Sequence, residues 1–169
     1  MAPQPLPGRI QRVTLDGKVT DVATKLPGDA PNRPNDICFG PDGLLYYTDP
    51  HNWEELPEVK PGRVARTTLD GKVELLATVP LFPNGIAFDA TGELLYVSES
   101  FSKRIVRYRV AGGRLEDRTV LAELEGTPDG MALDADGNIW QCVNPLDAIL
   151  VVDPQGIVVD RFATGEGSY

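Results

Sequence analysis

Histidine, cysteine, tryptophan and methionine are scarce: 169 residues hold one, two, two and two of them. With His51 as the single histidine, any Ser-His-Asp arrangement would depend wholly on it, and no Gly-x-Ser-x-Gly elbow is present. Two cysteines, Cys38 and Cys142, are too few for a disulfide scaffold. Neither belongs to a Cys-x-x-Cys pair, and both lie in apolar, strand-like runs, so both are expected to be buried free thiols. Positive charge is short as well, with 16 Lys and Arg against 25 Asp and Glu and a net charge of −9. The basic residues are scattered rather than gathered in a stripe, which argues against nucleic acid or an anionic membrane as partner. An acidic surface tolerates a neutral substrate or a bound cation. There is no phosphate-cradling loop or dinucleotide fingerprint, and no apolar run approaches a membrane span. The Pro-rich segment Met1–Gly8 has no apolar h-region, so a signal peptide is not expected and a reducing cytoplasm is the expected location. Also missing is any sustained 3.6-residue apolar period with caps, so helix should be rare.

What the sequence does contain is a repeat. Arg33-Pro-Asn-Asp-Ile-Cys-Phe39, Phe82-Pro-Asn-Gly-Ile-Ala-Phe88 and Thr127-Pro-Asp-Gly-Met-Ala-Leu133 align without gaps, their prolines 49 and 45 residues apart. Each continues alike. A turn (Pro41-Asp42-Gly43, Ala90-Thr91-Gly92 or Ala135-Asp136-Gly137) leads to a second strand over 44–48, 93–98 or 138–143. A third follows over 63–69, 104–110 or 148–153. A tight turn at Asp70-Gly71, Gly112-Gly113 or Gln155-Gly156 precedes a fourth over 73–78, 115–124 or 157–163. Asp-Gly and Gly-Gly between short runs rich in Val, Ile, Leu, Tyr and Phe are hairpin signals, because such turns need positive φ. Ahead of the first copy, Gly8-Arg-Ile-Gln-Arg-Val-Thr-Leu-Asp-Gly-Lys-Val19 repeats most of Gly62-Arg-Val-Ala-Arg-Thr-Thr-Leu-Asp-Gly-Lys-Val73. The chain therefore reads as all-β, built from β-propeller blades of four antiparallel strands. A half blade spans 8–27, and three blades span 33–80, 82–125 and 127–165. Propellers usually close with four to eight blades. Three and a half fit part of a larger ring, half of a two-chain ring or a small four-bladed ring, and open blade edges invite a homodimer.

The first strand of a blade lines the central channel, so equivalent positions converge near the axis. The residues after the three prolines, Asn35, Asn84 and Asp129, all offer oxygens, and together they suit a hard divalent cation. Pro-Asn-Gly and Pro-Asp-Gly are also ordinary turn sequences. Arg33 is a candidate to hold a substrate oxygen with its guanidinium, or to form a surface ion pair. Asp36 stands where the other copies have Gly85 and Gly130; it is read as a turn cap rather than a proton acceptor. His51 and Trp53 lie in the longest connection, either over the channel or simply in solvent.

At these residues the sequence resembles the SMP-30/gluconolactonase/LRE family of six-bladed propellers. The matching segments are Arg33-Pro-Asn-Asp36, Tyr46-Tyr-Thr-Asp-Pro50, Phe82–Phe88, Gly126-Thr-Pro-Asp-Gly-Met131 and Asp134-Ala-Asp-Gly-Asn-Ile-Trp140. The resemblance implies Asn84 and Asp129 as metal ligands, Asp129 also as catalytic base, Asn35 and Arg33 as substrate-binding residues, and Ca²⁺, Zn²⁺ or another divalent ion (Mg²⁺ or Mn²⁺) as cofactor. The implied activity is hydrolysis of sugar lactones or related esters. The family also uses a glutamate from a Glu-Gly-Pro-like segment that this sequence does not contain. The resemblance thus implies a partial chain, without the first inner hairpin and the closing blades, in which activity is impaired. A non-catalytic binding or assembly module is the alternative, and a metal-free strictosidine-synthase-like propeller is a third.

Overall fold

The computed structural model describes residues 8–51 and 60–165, and within them the chain is all-β. An antiparallel hairpin, β1 (Ile10–Val13) and β2 (Val19–Ala23), comes first. The first four-stranded sheet holds β3 (Ile37–Phe39), β4 (Leu45–Asp49), β5 (Gly62–Thr67) and β6 (Val73–Val79). The second holds β7 (Pro83–Phe88), β8 (Leu94–Glu99), β9 (Arg104–Ala111) and β10 (Arg114–Glu123). The third holds β11 (Thr127–Leu133), β12 (Ile139–Asn144), β13 (Ala148–Val152) and β14 (Val158–Ala163). In every sheet the strands pair in chain order and antiparallel, the up-and-down meander of a propeller blade. Helix among the described residues is confined to 3₁₀ turns at Pro27–Asp29 and Ser100–Ser102. Trp53, with residues 52–59 of its loop, lies outside the described residues.

The repeated hairpin sequence folds the same way twice. In Thr14-Leu-Asp-Gly-Lys18 and Thr68-Leu-Asp-Gly-Lys72 the threonine hydroxyl bonds the aspartate and takes the lysine N–H. Gly17 and Gly71 hold φ of 83° and 92°, which side chains resist.

No sheet has a core of its own; the apolar clusters lie between neighbours. Tyr46, Val64 and Val79 of the first sheet meet Ile86, Leu95, Val97, Val106 and Tyr108 of the second. Tyr96, Ile105 and Ala122 of the second meet Ile139, Val143, Leu150 and Val152 of the third. Ile10, Val22 and Ala23 of the hairpin cover Leu45, Tyr47 and Ala65. Each large side chain buried in such a seam contributes about 1.5–3 kcal/mol. The faces at either end stay open. Ile37 and Phe39 are exposed on β3, and Trp140 stacks on Phe162 (centroids 5.2 Å apart) on the uncovered side of the third sheet. Cys142 points the same way and is exposed, because β12 alternates buried and exposed residues and no other described sheet packs on its outer face. This corrects the expectation that both thiols are buried. Cys38 is free and partly buried, and burial, with Asp36 nearby, raises its pKa to about 12.

Candidate functional site

The three Pro-Asn/Asp segments stand in one register at the start of the inner strands, and the second and third break the ladder there. Pairing skips between Pro83 and Ile86 on β7, and between Pro128 and Met131 on β11. The backbone groups released are taken up by side chains of adjoining strands. Thr48 Oγ1 donates to the Asn84 carbonyl (2.6 Å), and the Ile86 N–H donates to the Asp36 carboxylate (3.0 Å). Gln141, fully buried, donates through Nε2 to the carbonyls of Asp129 and Gly130 (both 3.0 Å) and accepts from Ser98 Oγ (2.8 Å). Ser100 Oγ donates to the Pro128 carbonyl (2.7 Å) and accepts from Asn84 Nδ2 (3.2 Å). Asp36 does cap its turn, through the Ile37 N–H (2.9 Å), and also joins two sheets.

The structure brings the Asn84 and Asp129 segments together. A Cβ on Gly85 would lie 2.6 Å from the Asp129 carbonyl oxygen and 2.9 Å from the Met131 nitrogen, so β7 and β11 touch backbone to backbone there. Only glycine permits that approach. Asn84 is 5 % exposed, its Nδ2 is taken by Ser100, and no described residue donates to its Oδ1. The Asp129 carboxylate is exposed and accepts no hydrogen bond from a described residue. It lines an open pocket of about 210 Å³ with Cys142, Asn144, Asp147 and Thr164. All of that lining belongs to the third sheet and its connections, and Asn84 is not part of it.

Asn35 is exposed, with its backbone N–H on the Thr48 carbonyl (2.9 Å). Arg33 is held at both ends, its N–H on Asp49 Oδ2 and its Nη1 on the His51 carbonyl (both 2.9 Å). Fully buried Asp49 also accepts from the His51 N–H and from Arg63 Nη2 (both 3.0 Å), fixing the start of the long loop. Burial and the nearby cations Arg63 and Lys60 keep the His51 pKa below the ordinary value, which favours neutral imidazole at pH 7.

Among the described residues no three His, Cys, Asp or Glu side chains are grouped to hold a metal. What is available is one carboxylate and one carboxamide oxygen, neither claimed by a described residue. They suit a hard cation, which prefers oxygen and fills about six to eight positions, many of them with water. The sequence reading missed Thr48, Ser98, Ser100 and Gln141. On a strand or a short turn, Ser, Thr and Gln look like ordinary surface residues, and only the approach of the next sheet buries them.

The SMP-30/Gluconolactonase/LRE-like region model matches residues 8–167. A pentonolactonase, XacC, from Haloferax volcanii is 30% identical over 161 residues, covering 92% of this chain and 52% of its own length. A gluconolactonase from Zymomonas mobilis is 34% identical over 127 residues, covering 64% of this chain and 36% of its own. The solved structure of a gluconolactonase from Xanthomonas campestris superposes with a TM-score of 0.81 at 28% identity, over 94% of this chain and 56% of that one. The chain thus spans about half or less of the length of these relatives. The blade repeat, the three Pro-Asn/Asp segments and the match over nearly every residue agree: the chain belongs to the SMP-30/gluconolactonase/LRE-like family.

Proposed function

We propose that the chain carries the inner-strand part of a metal-dependent, lactonase-type hydrolase site for sugar lactones or related esters. One observation supports this most. Asn84 and Asp129, each with oxygen that no described residue claims, stand on strands in backbone contact, and one buried hydroxyl joins the Asn84 carboxamide to the Pro128 carbonyl just ahead of Asp129. These two residues would hold the divalent cation (Ca²⁺ or Zn²⁺, with Mg²⁺ or Mn²⁺ as other candidates). Bound there, it supplies charge that polarises a lactone carbonyl and acidifies a water. Asp129 takes the proton of the attacking water. The water oxygen bonds to the acyl carbon, the ring C–O bond breaks, and Asp129 returns the proton to the departing alkoxide, leaving a hydroxy acid. Arg33, already anchored by Asp49 and His51, directs its remaining N–H groups at a substrate oxygen, and the exposed Asn35 carboxamide offers a further hydrogen bond.

The test is hydrolysis of gluconolactone, followed by proton release, with Ca²⁺ or Zn²⁺ and with chelator. Asp129→Ala should lower the cation-dependent rate by about 100-fold or more, and equal rates for both proteins defeat the proposal.

The two uncovered end faces favour a second reading, a binding or assembly module without catalysis. Its mark is a folded chain that takes up no cation. Pairing of two copies through those faces is proposed too; light scattering would then give twice 18.3 kDa.

A further inference from the structure

We propose that Ser100 is a positioning residue that decides which end of the Asn84 carboxamide faces the cation; this rests on the metal reading above. The argument is one of proton counting. A serine hydroxyl has a single proton. Ser100 lies 2.7 Å from the Pro128 carbonyl, which can only accept, so the proton is committed there. Toward Asn84, 3.2 Å away, Ser100 Oγ can then only accept, and the group facing it must be the NH₂ end. Oδ1 is thereby turned to the other side, where no described residue donates to it. Ser100 and its surroundings leave little room for alternatives. The residue is fully buried, its N–H is bonded to the Phe82 carbonyl (3.0 Å), and Thr48 pins the Asn84 backbone from the other flank.

The same hydroxyl also ties the two ligand segments. Its acceptor, the Pro128 carbonyl, belongs to the peptide bond leading into Asp129. Gln141 holds the next two carbonyls, of Asp129 and Gly130. The orientation of one ligand and the backbone entering the other are thus set by a single oxygen atom. Without it both ends of the Asn84 amide become acceptable in the slot, and one of them presents N–H donors where a cation needs an acceptor.

Calorimetric titration with Ca²⁺ and with Zn²⁺ tests this without reference to turnover. Ser100→Ala should weaken cation binding about 10- to 100-fold, as expected when a group that orients a ligand is lost. Thr67→Ala removes another fully buried hydroxyl, bonded among the described residues to the Thr68 carbonyl, and should leave affinity unchanged. The decisive variant is Ser100→Ala combined with Asn84→Asp. A carboxylate has oxygen on both sides, so affinity should return if orientation was what the hydroxyl supplied, whereas loss of packing would not be repaired. Unchanged affinity in Ser100→Ala, or no recovery in the double variant, overturns the proposal while the metal reading stands. A wild-type chain that binds neither cation removes both. Should Ser100→Ala fail to fold, the Asn84 side-chain amide is followed by ¹⁵N NMR in the wild-type chain. Slow solvent exchange and a shift on adding cation support the proposal, and exchange as fast as a free carboxamide overturns it.

Discussion

Asp134 is a hub built from one carboxylate. It accepts from Trp140 Nε1 (3.0 Å), from Asn138 Nδ2 (2.9 Å), and from the N–H groups of Asn138 (2.9 Å) and Asp136 (3.0 Å). The Trp140 bond and then the Asn138 bonds hold its pKa at about 2. The folded value lies below the unfolded one near 3.9. Its contribution to stability is therefore fully present above about pH 4 and lost as pH falls through about 2. A carboxyl titration by NMR should find the Asp134 midpoint near 2; a midpoint at the ordinary aspartate value would show that these donors do not hold it. The turn at Ala135-Asp136-Gly137 was legible in the sequence, because Asp-Gly needs little context. The hub was not, since it depends on Trp140 lying on a face left bare, and the repeat does not say which faces stay bare. Cys142 was misjudged for the same reason.

Strand ends carry a device that recurs with the repeat. Asp49 on β4 pairs with Arg63 on β5, and Glu99 on β8 pairs with Arg104 on β9 at the matching ladder position. Arg118 adds a second bond to Glu99, at 2.5 Å. The third sheet replaces the pair with Val143 and Ala148. Both acids are fully buried, so losing one partner strands charge in a poor solvent. Arg63→Gln, which leaves the Asp49 carboxylate buried without its cation, should cost about 3–5 kcal/mol in urea unfolding, whereas Glu116→Gln, in an exposed pair with Arg109, should cost less than about 1 kcal/mol. Similar losses for the two would mean that burial does not set the energetics here. The repeat and its turn signals located all twelve strands of the three sheets, and of the turn and strand expected over 33–39 regular pairing forms at Ile37–Phe39. Asp36 sets that boundary: its side chain takes the Ile37 N–H and reaches the next sheet, so regular pairing begins one residue later. The Asp49–Arg63 pair was hidden from sequence by the long loop between its members.

Across the whole molecule, the repeat announced how many sheets there are, but not which faces would be left bare. The second sheet is packed on both faces, and the third on one. Its strands should accordingly differ in protection although their ladders are alike. Native-state hydrogen exchange should show β8 and β9 amides exchanging last and β12 and β13 amides clearly sooner. Uniform protection would mean that the sheets open as a single unit. The position of Ser100 follows from the same geography, for the contact it makes with Pro128 crosses the seam between those two sheets. If the third sheet swings away while the others stay folded, Asp129 leaves with it and Asn84 remains behind. Gentle heating or dilute denaturant would then part the two proposed ligands while the far-ultraviolet spectrum hardly changed, so that integrity of shape and of the proposed site would be lost at different thresholds.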